Sequence, residues 1–218
     1  MTAKTKGTVR RILSTGSDGE QQANAIWRTL SLSSCVACAY CLLPVACCLL
    51  CAAEPCQSGP QCGQRPGPYA FLIATGPKRG QSHCYICETA DRPAVIIFAR
   101  TPNDVLGKFL AKLDQALASH KAANPNAWVT FLGEDQPALE PKLVEWSRKH
   151  GLANIPVGVF EDNDGPPSYR LSRDADVTVL LAVNQKVVVN FALRAGELTE
   201  EKQKEIVEAL PRILAEKR

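Results

Sequence analysis

Ala94-Val95-Ile96-Ile97-Phe98-Ala99-Arg100 is the stretch that most narrows what this chain can become. It is continuous, apolar and β-branched. A strand with one wet face would alternate apolar and polar residues, and this one does not, so it reads as a central strand buried on both faces. A sheet built around such a strand needs cover on each side. Thr101-Pro102-Asn103-Asp104 follows and predicts a helix start. Thr101 is expected as the N-cap, Pro102 at the first helical position and Asp104 at the third, where a carboxylate answers free N–H groups. Leu106, Phe109, Leu110, Leu113 and Leu117 then recur at helical spacing and form one apolar face.

The same alternation continues downstream. Ala127–Leu132 predicts a second buried strand. Pro137–His150 predicts a helix with Leu139, Leu143, Val144 and Trp146 inward and Gly151 closing it. Residues 155–160 predict another short strand, and 161–167 an acidic Gly/Pro loop. Val177–Val183 and Lys186–Leu193 flank Asn184-Gln185 as a hairpin. Thr199 caps a last helix with Ile206, Leu210, Ile213 and Leu214 inward, and Pro211 should kink it. Upstream, 69–75 predicts a first strand. Strands joined through helices should pair in parallel, with the hairpin as an antiparallel edge. The fold class is therefore α/β, a three-layer α/β/α sandwich around a mixed sheet of about five strands.

Before residue 69 the chain changes character. Residues 1–28 are polar and carry Lys4, Lys6, Arg10, Arg11 and Arg28, whereas Thr29 to Ala53 hold no charge. A basic stretch, an apolar core at 39–50 and the small residues Cys51-Ala52-Ala53 predict a secretory signal cleaved before Glu54. The uncharged run also has the roughly 20 residues a bilayer needs, so an uncleaved anchor over 29–53 is the competing expectation. Leu32-Ser33-Ser34-Cys35 matches a lipobox without the apolar core that should precede it. Residues 54–68, rich in Pro and Gly, read as a linker or extended leader without packing. The expected organisation is 1–53 signal or anchor, 54–68 linker, 69–218 domain.

Six of the ten cysteines lie between 35 and 51, and only Cys56, Cys62, Cys84 and Cys87 follow. In an exported protein these four are expected to be oxidised. Cys84-Tyr85-Ile86-Cys87 has the C-x-x-C spacing of a pair that can close a small disulfide, exchange it with a substrate, or supply half a metal site. His83 precedes it, and an imidazolium there would favour a thiolate. All four thiols together could ligate zinc or an iron–sulfur cluster, although C-x5-C is loose for such a site. A c-type haem would need a histidine where Glu88 stands. Asp162-Asn163-Asp164-Gly165 lacks calcium ligands at its first and twelfth positions, so a solvated turn is expected. His120 and His150 sit at helix C-termini, where a cation is favoured without being a ligand. Tyr169 and Arg170 could line a cleft or belong to a surface loop. No phosphate loop, G-x-S-x-G or H-E-x-x-H occurs, so no cofactor is expected. The net charge of +3 and 6% aromatic content carry no basic stripe or stacking platform, which argues against nucleic acid. Residues 54–218 hold equal numbers of acidic and basic side chains, so no anionic partner is implied.

The element order over 69–215 resembles the thioredoxin-like superfamily, in particular its redoxin or peroxiredoxin-like branch. The resemblance rests on Ala94–Arg100 with its helix, the Ala127–Leu132 strand, the Val177–Leu193 hairpin and the terminal helix. It implies thiol–disulfide chemistry with protein thiols or a redox partner protein, Cys84 attacking and Cys87 resolving. Two places depart from the family. The reactive cysteine that should follow the 94–100 strand is replaced by Thr101–Asp104, and the cis-proline before the hairpin by Asp176-Val177-Thr178. The alternative is a non-catalytic binding or scaffold domain in which Cys84–Cys87 is structural.

The export expectation has a direct test. Residues 1–60 fused to a reporter active only outside the cytoplasm should give signal. Reporter activity confined to the cytoplasm would contradict export and the oxidised state inferred from it.

Overall fold

The computed structural model describes residues 54–214. The expected signal or anchor segment therefore lies outside the described residues. Chain order is β1 (Phe71–Ile73), β2 (Ser82–His83), α1 (Tyr85–Thr89), β3 (Ala94–Ala99), α2 (Asp104–Ala118), β4 (Asn126–Leu132), α3 (Gln136–Lys149), β5 (Val157–Phe160), β6 (Val177–Val183), β7 (Lys186–Leu193), α4 (Glu200–Ala209) and α5 (Pro211–Leu214). One seven-stranded sheet runs β2-β1-β5-β4-β3-β6-β7. Six of these strands are the ones the sequence predicts, one more than the sheet of about five expected, and the seventh is β2, a two-residue strand that folds back on β1 at the sheet edge.

β3 pairs in parallel with β4, and β4 with β5, since α2 and α3 make the crossovers these pairings require. The first strand departs from the expected parallel pairing. No helix intervenes between β1 and β2, and β1 runs antiparallel to β5. β6 runs antiparallel to β3, and β7 closes the hairpin. Asn184 and Gln185 both take left-handed backbone, with φ of 52° and 59°, the conformation a two-residue turn needs to match strand twist.

The helix after β3 starts two residues later than Thr101 implies. Asn103 is the cap, its Oδ1 accepting the Leu106 N–H at 2.9 Å, and Asp104 becomes the first helical residue. Asn caps more strongly than Thr, and the Asn103 carbonyl also accepts the Trp146 indole N–H, which ties the cap to α3. Asp135 caps α3, and Thr199 caps α4 as expected. Pro211 separates α4 from α5, with Ile206, Leu210, Ile213 and Leu214 all buried.

β3 divides the core. Val95, Ile97 and Ala99 face α2 to α5, together with Phe109, Leu143 and Ile206. Ala94, Ile96 and Phe98 face the other side, where the cover is Tyr69, Phe71, Tyr85 and Tyr169. One outer layer is thus four helices, and the other is only α1, side-chain aromatics and loop. Tyr169, in the loop before β6, belongs to this core at 1% exposure and not to the surface; its hydroxyl donates to the Gly67 carbonyl. Arg170 beside it is exposed, with a φ of 51°.

The leader has no helix or strand, as its Pro and Gly content requires, but it is packed. Ser58, Pro60 and Pro66 are buried. The Gly63 N–H donates to Val187 O and the Val187 N–H to Gln64 O, while Asn190 Nδ2 donates to the carbonyls of Ser58 and Pro60. These bonds occupy edge groups of β7 that would otherwise be open to another chain. The compact unit therefore begins before residue 69.

At the centre of the thin layer, the Trp128 indole N–H donates to Tyr69 Oη at 2.8 Å, and that hydroxyl pairs with Thr130 Oγ1 at 2.8 Å. Tyr69→Phe removes the shared partner and leaves two buried polar groups unsatisfied. It should lower stability by about 1–3 kcal/mol in urea unfolding at unchanged m-value. Wild-type stability for this variant would show that the network contributes nothing.

Candidate thiol–disulfide site

Cys84 and Cys87 are joined as a disulfide, with Cα atoms 5.5 Å apart. Their geometry follows from α1. β2 delivers His83 to the sheet edge, and Cys84 caps the next turn in extended backbone, its Sγ accepting the Cys87 N–H at 3.2 Å. A single turn then carries Cys87 back over its partner. The short stretch from Glu88 to Arg92 allows only a five-residue helix before Pro93.

The helix is fastened by groups other than sulfur. Tyr85 is 5% exposed and stacks on Trp128, ring centroids 5.5 Å apart. Thr89 is buried, and its hydroxyl accepts from Asn126 Nδ2 at 2.8 Å. At the C-terminal end the Arg92 guanidinium donates to the Glu88 carbonyl and to the Thr89 carbonyl, which also accepts the Arg92 backbone N–H. Ala90 ends the turn with a φ of 51°.

His83 Nε2 lies 2.6 Å from Glu88 Oε2, Lys78 Nζ donates to the same oxygen at 2.7 Å, and the His83 ring meets Tyr85 edge-on. The bond from Lys78 holds the Glu88 carboxyl below the usual carboxylate range, against partial desolvation and with help from His83. Burial pushes the Tyr85 phenol up, and the Glu88 charge adds to that. His83, Lys78 and Glu88 thus form one hydrogen-bonded cluster on the residues flanking the disulfide. Lys78, Glu88 and Arg92 went unsingled in the sequence. The i, i+4 spacing of Glu88 and Arg92 was the available signal, but Lys78 is brought in only by the β1–β2 return.

Cys87 is exposed and Cys84 half-buried. Cys87 also lines a cleft of about 420 Å³ with Arg65, Pro66, Ile86, Arg92, Ile96 and Ala182. This places the second cysteine at the first half of β3, although β2 and His83 stand at the sheet edge. Thr101–Asp104, where the resemblance puts a reactive thiol, follow the other end of β3, roughly 17–20 Å away along a strand of this length. That end has a separate cleft of about 400 Å³, lined by Asn103, Lys108, Asp176 and Arg194, with no sulfur. Burial raises the Asp176 carboxyl, and Arg100 opposes the shift.

The other sequence candidates scatter. Cys56 and Cys62 are free, and the Cys62 thiol donates to Val188 O on β7. Among the described residues no group of three or more His, Cys, Asp or Glu is placed to hold a metal ion, so the four thiols do not form one ligand set. Asp162–Gly165 is a turn closed by Asp162 Oδ1 accepting the Asp164 N–H, with Arg173 gripping Asp164 through two nitrogens. His150 packs at the end of α3 against Trp146, with Nε2 3.3 Å from Asp104 Oδ1. His120 is exposed after α2.

No family model matches the chain, and no curated protein matches it in sequence. Solved structures do match its fold. A candidate protein disulfide isomerase from Bacteroides thetaiotaomicron is 16% identical with a TM-score of 0.54, covering 74% of this chain and 95% of that one. An uncharacterized conserved protein from Geobacillus kaustophilus is 14% identical with a TM-score of 0.54, over 72% of this chain and 85% of that one. A hypothetical protein from Sinorhizobium meliloti 1021 is 10% identical with a TM-score of 0.53, over 72% and 87%. The chain has the thioredoxin-like fold, carrying an intramolecular C-x-x-C disulfide.

The ionic cluster predicts a pH dependence. A carboxyl held low in the folded state stabilises the protein above its unfolded pKa, and that contribution is lost as pH falls through the folded value. Glu88→Gln should therefore be less stable than wild type near neutral pH, and the gap should close as the medium is acidified below about pH 4.3. Urea midpoints measured across that range check it. A gap constant with pH would mean that the Glu88 charge is not the cause.

Proposed function

We propose that this protein performs thiol–disulfide exchange through Cys84 and Cys87, acting on protein thiols outside the cytoplasm. The observation that carries the reading is that contacts other than the disulfide hold α1: Tyr85 on Trp128, Thr89 with Asn126 and Arg92 on the helix C-terminus. A bond closed over one turn, with one sulfur exposed at a cleft, can then open and close on a standing scaffold.

In exchange, a partner thiolate attacks one sulfur of the pair, and the S–S electrons leave with the other. The leaving thiolate is stabilised where N–H donors or positive charge reach it. At this site the Cys87 N–H reaches Cys84 Sγ. Export is proposed from the basic and uncharged N-terminal stretches together with a closed disulfide, which persists in oxidising compartments.

The sulfur-free cleft beyond β3 favours a second reading, a binding or scaffold domain with Cys84–Cys87 as a staple. The two separate in one assay. Exchange predicts disulfide-reductase activity on a protein disulfide that falls to the buffer level in Cys84→Ser and in Cys87→Ser, with cooperative unfolding retained. A staple predicts no activity in the wild type.

A further inference from the structure

Resting on the exchange reading above, we infer that Cys87, the second cysteine of the motif, is the sulfur that meets the partner, and that the cleft beside it selects apolar segments with an acidic flank. This reverses the order in which the resemblance assigns the two thiols.

Three features of the site point the same way. Cys87 is exposed, whereas Cys84 is half-buried between β2 and α1. Cys87 lines the cleft of about 420 Å³ and Cys84 does not. Cys84 Sγ already accepts the Cys87 N–H at 3.2 Å, so it sits where a departing thiolate is held. Which sulfur is attacked depends on access and on how well the other one leaves. Both conditions assign attack to Cys87 and departure to Cys84.

The step balances as an exchange. The partner thiol gives its proton to solvent, its thiolate forms a bond to Cys87 Sγ, and the Sγ84–Sγ87 bond breaks. Its electron pair goes to Cys84, which takes up a proton from solvent when it is released from the N–H. A second partner thiolate then attacks the partner sulfur, leaving an oxidised partner disulfide and a reduced Cys84/Cys87 pair.

The walls define the class of segment. Ile86, Ile96, Ala182 and Pro66 make the cleft floor apolar, and Arg65 and Arg92 are its charged members. Arg92 is spoken for through Nε and one terminal nitrogen by the α1 carbonyls, which holds the guanidinium in place at the cleft. Two cations and no carboxylate among the lining residues favour an acidic flank over a basic one.

The test uses the full chain as reduced Cys84→Ser and Cys87→Ser variants. The probes are synthetic peptides carrying a thionitrobenzoate mixed disulfide on a cysteine flanked by Leu and Glu, or by Leu and Lys. Adducts are mapped by proteolysis and mass spectrometry. Cys84→Ser should trap the peptide on Cys87 at least about tenfold faster than Cys87→Ser traps it on Cys84, with the acidic peptide ahead of the basic one. Faster trapping on Cys84 overturns the inference and leaves exchange standing. Equal rates for the two peptides overturn the assigned substrate class. Adducts on neither cysteine of the motif overturn the exchange reading itself, and this inference with it. Arg65→Glu should reverse the lead of the acidic peptide over the basic one, read as the ratio of the two trapping rates on Cys87, and an unchanged ratio would overturn the assigned acidic flank.

Discussion

A strand buried on both faces, with four helices over one and only the single turn of α1 over the other, is the constraint around which this structure is arranged. Ile96, Phe98 and Trp128 on the thin side are each at most 2% exposed. Leaving such side chains wet costs about 1.5–3 kcal/mol apiece, so that face cannot stay open in a domain whose total stability is about 5–15 kcal/mol. The chain covers it mostly with what precedes β3. Tyr69 stands just before β1, Phe71 in it and Tyr85 in α1; Tyr169 is added from the loop before β6, while the leader lies over β6 and β7. Aromatic rings suit this work because a few residues cover a wide area, and their hydroxyls find partners in Thr130 and Gly67.

The disulfide is an element of that cover, and its chemistry follows from the position. α1 must lie flat on the sheet to place Tyr85 against Trp128, and the chain has only Glu88 to Arg92 before it must turn into β3. The motif is therefore kept to one turn, with one sulfur toward the edge strand and the other over the start of β3. Where the fold's resemblance puts a thiol, at the far end of β3, Asn103 caps α2 with its amide oxygen. The C-x-x-C disulfide thus belongs to the covering layer and not to the helix that follows the central strand.

Much of this was legible in the sequence. The β3 run, the helix faces of α2 and α4, the Asn184-Gln185 turn and the break at Pro211 each follow from local patterns, and each stands within a residue or two of its reading. What local pattern could not supply were contacts between distant segments. The packing of Ser58 and Gly63 against β6 and β7 spans more than a hundred residues, and a Pro/Gly-rich composition looks the same packed or free. Tyr169 could be read as a cleft or surface-loop residue but not as core, because its burial depends on Tyr69 and Phe98. The start of α2 was misplaced by two residues since Thr101 and Asn103 are both competent caps, and Trp146 on another helix helps decide between them. The site was half legible. Cys84 and Cys87 announce themselves by spacing, but the partners of His83 and the cleft beside Cys87 exist only once β1, β2 and the hairpin are in place.

Holding α1 by packing and holding it by sulfur make opposite demands on one quantity. A bond that folding stabilises strongly resists reduction by the same free energy, whereas a bond that merely closes over a fastened turn does not. The decisive measurement is the reduction potential of the Cys84–Cys87 pair, read in thiol–disulfide buffers while far-UV circular dichroism follows the fold. The account predicts a potential above about −300 mV with the fold unchanged on reduction. A potential below about −300 mV, or loss of structure as the bond opens, would contradict it and make the disulfide a staple of the thin layer.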